Sequence, residues 1–236
     1  VMDKDWYWVL ARLESAVSQA RLYFDHVSVG ALDAARADRQ FLKRFAEAAF
    51  ACGAERIRLA DTVGIGTPGA IAELVSALVG GVPDMAFEFH GHNDLGLATA
   101  NALAALENGA EAISVTVNGL GERAGNTALE QIAMVLRQQP GLNCPLNTTH
   151  LLSLSRLVAR ASGMDVGVTQ PVVGEHMFTH ESGIHCQAMF RDHRTFEPFS
   201  PQHVGRSDRR YVLGGHSGTE SIHRLFQRAG ISISRE

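Results

Sequence analysis

Two histidines, two positions apart, stand in the segment Phe89-His90-Gly91-His92-Asn93-Asp94, where a predicted strand over residues 85–89 ends. Alternate residues of an extended chain point to the same side, so the two imidazoles can aim at one point. Imidazole is a common ligand of divalent metals. The spacing therefore favours a metal site. The plainer alternative is a pair of histidines that bond backbone carbonyls in a polar loop.

Three other polar segments also directly follow predicted strands. The segment 118–126 carries three glycines and ends in Asn126, whose amide oxygen can reach the same metal. Thr62, in Ala60-Asp61-Thr62-Val63-Gly64, can donate a hydrogen bond to a carboxylate, and Arg36 can clamp a carboxylate with two N–H groups. Each feature also has a purely structural interpretation. The glycine-rich segment can be a tight turn, Thr62 can belong to the entry of a helix, and Arg36 can be an exposed surface arginine.

The periodicity of apolar residues explains how these segments come together. It predicts four strand–helix units between residues 26 and 140. Their predicted strands are His26–Gly30, Arg56–Ala60, Met85–Phe89 and Ala112–Val117. Such alternation implies parallel strands joined by right-handed crossovers, so all four carboxyl ends meet at one edge. An open doubly wound sheet and a (β/α) barrel both satisfy this pattern.

The character of the sequence changes after Pro140. We therefore predict a boundary near residue 140 that separates two regions, residues 1–140 and residues 141–236.

Composition excludes several classes of protein. The chain has 236 residues, of which 45% are hydrophobic and 19% charged, with a formal net charge of -4. This charge argues against binding to nucleic acid through a general basic surface. No apolar run approaches the roughly 20 residues of a membrane span. Three scattered cysteines fit a reducing compartment, so we expect a cytoplasmic enzyme with small-molecule substrates.

Several motifs together resemble one enzyme family. The motifs ADTVG, HGHNDLGLATAN, VNGLGERAGNTALE, FTHESGIH and VLGGHSG are similar to those of homocitrate, 2-isopropylmalate and citramalate synthases. The segments VSVGALDAARAD and THESGIHCQA are most similar to homocitrate synthases of the nitrogen-fixation type. The resemblance implies a TIM barrel, of which this chain carries strands five to eight. It implies that residues 1–140 form this partial (β/α) barrel and that residues 141–236 form a mainly helical subdomain that contributes to the active site and to a dimer. It also implies a metal-dependent Claisen condensation of acetyl-CoA with a 2-oxo acid, 2-oxoglutarate being favoured.

The resemblance also implies roles for individual residues. The metal, Mg, Mn or Zn, is held by His90, His92 and Asn126; the 2-oxo acid is held by Arg36 and Thr62; and His185 acts in the catalytic step, often across a dimer. We therefore expect a homo-oligomer or a partner that supplies the first half of the barrel.

Four departures from the family pattern bear on activity. Leu32 stands where a glutamate is usual, Phe196 where a tyrosine is usual, and Gly215 where a lysine is common. The aspartate–arginine–glutamate motif of the family's first strand is not in this chain. We therefore expect little or no turnover and an unstable monomer for this chain alone. A catalytically impaired remnant or regulatory partner is one alternative. A hydroxymethylglutaryl-CoA-type lyase, which shares HxH but not the GERAGN loop, is another.

Overall fold

The computed structural model describes residues 3–231 and 233. It divides the chain into two compact units, Val1–Val135 and Leu136–Glu236. The metal-site candidates lie in the first unit and His185 lies in the second.

The first unit is built from strands and helices that alternate along the chain. The elements are α1 (Trp6–Arg21), β1 (Ser28–Ala31), α2 (Arg39–Ala51), β2 (Arg56–Asp61), α3 (Pro68–Gly81), β3 (Ala86–Gly91), α4 (Ala98–Glu107), β4 (Ala112–Ser114) and the start of α5 (Leu129–Gln138). All neighbouring strands are parallel, and their order in the sheet is their order in the chain. A doubly wound sheet reverses its strand order at one point, whereas a barrel does not. The predicted partial TIM barrel is confirmed.

The two faces of the sheet differ in chemistry because alternate residues point to opposite sides. One face buries Ile57, Leu59, Phe87 and Phe89. Burial of each such side chain stabilises the fold by about 1.5–3 kcal/mol. The other face carries Arg58, Glu88 and His90, and the Arg58 guanidinium is bonded to the Glu88 carboxylate at 2.5 Å.

Local sequence sets the ends of several elements. Thr67 caps α3 by accepting a hydrogen bond from the Ala70 N–H, and Pro68 occupies the first turn, as the sequence predicts. The apolar pattern predicts a helix from about Leu95 to Asn108, but α4 begins later, at Ala98, because the Asn93 side chain accepts the Ala98 N–H and holds the preceding residues in a turn. Strand β4 ends early, at Ser114, since the backbone of Thr116 pairs with residues 127–129 instead.

The second unit is mainly helical, as predicted, and includes a small sheet that the sequence did not indicate. It contains α6 (Leu151–Ser162), β5 (Thr179–His180), α7 (Gly183–Met189), β6 (Arg210–Tyr211) and α8 (Thr219–Arg228). Strands β5 and β6 pair in parallel over two residues each, too short for a periodic signal. No helix among residues 3–231 is long and apolar enough to cross a membrane.

Candidate metal centre

His90 and His92 lie side by side at the carboxyl end of β3. Their ring centroids are 4.8 Å apart and their planes are perpendicular. The strand ends at Gly91, and His92 forms an isolated antiparallel bridge with Asn126. The three residues singled out by type and spacing are therefore neighbours in the fold.

Hydrogen bonds fix which imidazole nitrogen each histidine presents. Nδ1 of His92 lies 3.1 Å from the backbone oxygen of Asp61, and a carbonyl only accepts. That nitrogen therefore carries the proton, and Nε2 carries the lone pair. Nδ1 of His90 lies 3.0 Å from the Ser114 hydroxyl, which can donate or accept, so Nε2 of His90 can bind a metal in the tautomer whose Nδ1 carries the proton. Metal-binding histidines are commonly oriented by such bonds at the opposite nitrogen.

The side-chain oxygen of Asn126 is buried and has no hydrogen-bond partner within the described part of the chain. Burial of an amide oxygen without a partner costs free energy, so such an atom calls for a ligand. Gly121 makes room for this side chain: a Cβ at that position would lie 2.7 Å from the Asn126 amide group. Two imidazole nitrogens and one orphaned amide oxygen fit a divalent cation.

Residues 3–231 and 233 contain no cluster of three or more His, Cys, Asp or Glu side chains placed to hold a metal. A metal bound here would therefore have His90, His92 and Asn126 as its candidate ligands among the described residues. Water or substrate oxygens would fill the coordination positions that these three side chains leave open.

The surroundings of His90 favour its neutral form. Burial lowers the pKa of His90 below its ordinary value, and the neighbouring His92 and Arg58 lower it further. A metal binds only the neutral imidazole. The pKa shift therefore keeps His90 ready to ligate at a lower pH than an exposed histidine.

The two predicted substrate-binding residues are engaged with the same neighbour, Asp33. The Arg36 guanidinium donates to both oxygens of the Asp33 carboxylate, at 2.6–3.1 Å. This bond raises the pKa of Arg36 and lowers that of Asp33. The Thr62 hydroxyl accepts the Asp33 N–H at 2.8 Å, which leaves its own proton to donate. Arg36 would bind a substrate carboxylate in competition with Asp33.

An ion pair that sequence reasoning missed joins the loops after three strands. Arg123 donates to both oxygens of Asp94, at 2.7 and 2.9 Å, and to the Thr62 carbonyl at 2.8 Å. Both charged residues lie in motifs that the sequence analysis identified. Their pairing across 29 positions has no local signal, so only the fold reveals it.

Comparison with known proteins places the chain in a family. Residues 1–158 match the model described as HMGL-like, and residues 172–236 match the homocitrate synthase post-HMGL domain-like model. The chain belongs to the HMGL-like family. Its most similar solved structures include hydroxymethylglutaryl-CoA lyase from Pseudomonas aeruginosa, with TM-score 0.58 and 24% identity over 67% of this chain and 56% of that one. This likeness establishes the fold alone.

Curated relatives of this HMGL-like chain include three named synthases. It is 44% identical to 2-phosphonomethylmalate synthase of Streptomyces rubellomurinus, over 99% of the chain and 62% of the relative. It is 44% identical to homocitrate synthase 1 of Nostoc, over 98% of the chain and 61% of the relative. It is 42% identical to 2-isopropylmalate synthase 2 of Caldanaerobacter subterraneus, over 100% of the chain and 61% of the relative. The chain thus spans about three fifths of the length of these relatives.

In the second unit of this HMGL-like chain, His185 is exposed and stacks on Phe196, with ring centroids 4.0 Å apart. The residue after Phe196 is a buried glutamate, Glu197, which Arg209 binds through two hydrogen bonds of 2.8 Å. Nε2 of His180 lies 3.4 Å from the same carboxylate. Sequence analysis missed this ion pair. In the first unit, the Leu32 side chain is 79% exposed and supplies no acid–base group.

Proposed function

We propose that the protein is an acyltransferase that condenses acetyl-CoA with a 2-oxo acid in a metal-dependent Claisen reaction. The observation that carries this proposal is the orphaned amide oxygen of Asn126 beside two histidines with available Nε2 atoms. The identity of 42–44% to three relatives named as synthases supports the reaction class.

Several side chains of the first unit would have defined tasks in this reaction. His90, His92 and Asn126 would hold the cation, which when bound would polarise the ketone of the 2-oxo acid. The Thr62 hydroxyl would donate to the substrate carboxylate while it accepts the Asp33 N–H. The Arg123–Asp94 pair would keep the loops after β2, β3 and β4 in register around the substrate.

His185 is the proposed proton carrier of the second unit. An imidazole can take a methyl proton of the thioester substrate or return a proton at neutral pH. The stacking contact with Phe196 would restrict the rotation of the ring. Glu197, beside Phe196 in the chain, is held in place by Arg209 and so would keep this segment rigid.

For the substrate we propose 2-oxoglutarate, as in homocitrate synthases of the nitrogen-fixation type. The support is the similarity of VSVGALDAARAD and THESGIHCQA to that group. The competing 2-oxo acids follow from the products of the other family members: 3-methyl-2-oxobutanoate for 2-isopropylmalate and pyruvate for citramalate.

The test is release of coenzyme A from acetyl-CoA by the purified protein, with each of the three 2-oxo acids and with Zn²⁺, Mn²⁺ or Mg²⁺. One arm includes a co-expressed first half-barrel. We expect turnover to require a metal and to be highest with 2-oxoglutarate, with homocitrate identified by mass spectrometry. His92→Gln should abolish it. Cleavage of hydroxymethylglutaryl-CoA without any condensation would instead indicate a lyase.

The second candidate is a protein that retains the metal site and has lost catalysis. Two observations favour it: an exposed leucine at position 32 and a phenylalanine ring without a hydroxyl against His185. Metal binding that depends on His92, with no thiol release in any arm of the assay, would select this candidate.

A further inference from the structure

The second unit contains a cavity of about 620 Å³ between the first residues of α7 and α8. Its polar lining is contributed by Ser182, Gln187, His216, Thr219, Glu220 and His223. The Gly183 N–H donates to the His216 carbonyl at 3.0 Å and ties the two segments together. The segment VLGGHSG, which forms one wall, has no task in the condensation proposed above.

One end of α8 contributes to the cavity. The helix is ten residues long and begins at Thr219, directly after Gly218, with no side chain capping its first turn. The N–H groups of an uncapped first turn, together with the helix dipole, favour a negatively charged group.

An independent observation points to a ligand at the same place. His223 lines the cavity and is only 5% exposed. No described residue forms a hydrogen bond, ion pair or ring contact with its imidazole. The ring nitrogens of His223 are not sealed from solvent, so they keep their hydrogen-bonding capacity for whatever occupies the adjoining space. The open space beside this imidazole is the cavity itself.

The charges around the cavity permit an anion. Its one lining carboxylate, Glu220, accepts a hydrogen bond of 2.8 Å from Arg224, which balances its charge. Two imidazoles, a threonine hydroxyl and the Gln187 amide remain as donors.

From this geometry we infer that the cavity binds a phosphate group of a small phosphorylated ligand. The cavity volume lies within the range of small-molecule sites and exceeds what an inorganic ion needs. One source, which rests on the function proposed above, is a phosphate of the coenzyme in acetyl-CoA. A free phosphorylated metabolite is the other.

The test measures binding by calorimetry to the 236-residue protein in EDTA, without a 2-oxo acid, so that it is independent of metal and turnover. The probes are inorganic phosphate, pyrophosphate and coenzyme A. His223→Gln should weaken pyrophosphate binding about tenfold through the loss of one donor to a charged group. His193→Gln, an exposed histidine outside the cavity lining, is the control and should change nothing.

A gain-of-binding variant protects the test against a folding failure of His223→Gln. A Cβ at Gly215 meets no atom within 4 Å, so the backbone there has space for a side chain, and Gly215→Lys adds a cation to the residue next to His216. We expect tighter pyrophosphate binding by severalfold at low ionic strength, and less gain at high salt.

The outcomes separate the two sources. If His223→Gln and Gly215→Lys change the affinities for coenzyme A and for pyrophosphate equally, the cavity is assigned to the coenzyme. If the two variants change the affinity for pyrophosphate alone, the cavity is assigned to a free phosphorylated ligand. Absence of binding of all three probes, or binding that neither variant alters, would overturn the inference, whether or not the condensation is observed.

Discussion

The imidazole of His185 stacks on the phenyl ring of Phe196, with an angle of 29° between the ring planes. Phe196 is 43% exposed, so there is room for an added hydroxyl. We expect Phe196→Tyr to keep the stack and to raise turnover, because a phenol can donate or accept a proton beside His185. General acid–base assistance contributes about 10²–10⁴ in rate when fully in place.

The check is the rate of coenzyme A release by Phe196→Tyr, by Leu32→Glu and by the double variant, in the presence of the co-expressed first half-barrel. The double variant should exceed both singles. Phe196→Leu, which removes the stack, is the matched control and should not gain activity. Equal rates for all variants would refute a role for positions 32 and 196 in proton transfer.

Gly64 is required where the loop after β2 approaches Asp94. Its φ is +70°, and a Cβ would lie 2.3 Å from a carboxylate oxygen of Asp94. We expect Gly64→Ala to lower the free energy of unfolding by more than about 1 kcal/mol. Gly69→Ala, in the first turn of α3 with open space around it, should instead stabilise by about 0.4–1 kcal/mol. Urea unfolding of both variants measures this, and equal midpoints would contradict it.

Gly121 should matter for metal affinity rather than for folding. A methyl group there would displace the Asn126 amide, so we expect Gly121→Ala to weaken Zn²⁺ binding about tenfold or more, similar to the loss of an outer-shell partner. Gly30→Ala, on β1 with nothing within 4 Å, is the control and should bind normally. Calorimetric titration of metal-free protein distinguishes them. Wild-type affinity in Gly121→Ala would exclude Asn126 as a ligand.

Two histidines should titrate on opposite sides of the ordinary value of 6.5 in metal-free protein. Burial lowers the pKa of His90, whereas a 2.6 Å contact with Glu55 raises the pKa of the exposed His26. The His26 contribution to stability is present below pH 6.5 and is lost as pH rises through its folded pKa. The environment of His90 has the opposite effect on stability. As pH falls, the unfolded chain protonates this histidine before the folded chain does, so the folded state loses stability.

NMR titration of both histidines measures these shifts. Glu55→Gln should return the pKa of His26 to its ordinary range and leave that of His90 unchanged. A pKa of His90 above 6.5 would mean that its ring is not buried as the structure describes.

The sequence predicted the parallel sheet and the meeting of His90, His92 and Asn126, because strand-end position and a spacing of two are local properties. It could not predict the tautomer of His92, which depends on a carbonyl 31 positions away. The Arg123–Asp94 and Glu197–Arg209 pairs likewise depend on the approach of distant loops. The start of α4 was misplaced because the side chain of Asn93 bonds a backbone N–H five residues later.

The most direct test of a metal centre at His90, His92 and Asn126 is calorimetric titration of Zn²⁺ into metal-free protein and its variants His90→Gln, His92→Gln and Asn126→Ala. His26→Gln, an exposed histidine bonded to Glu55, is the control. We expect one ion per chain, affinity weakened at least about tenfold by each of the three changes, and no effect of the control. Unchanged affinity in His92→Gln, or equal losses in His26→Gln, would contradict a metal centre at the end of β3.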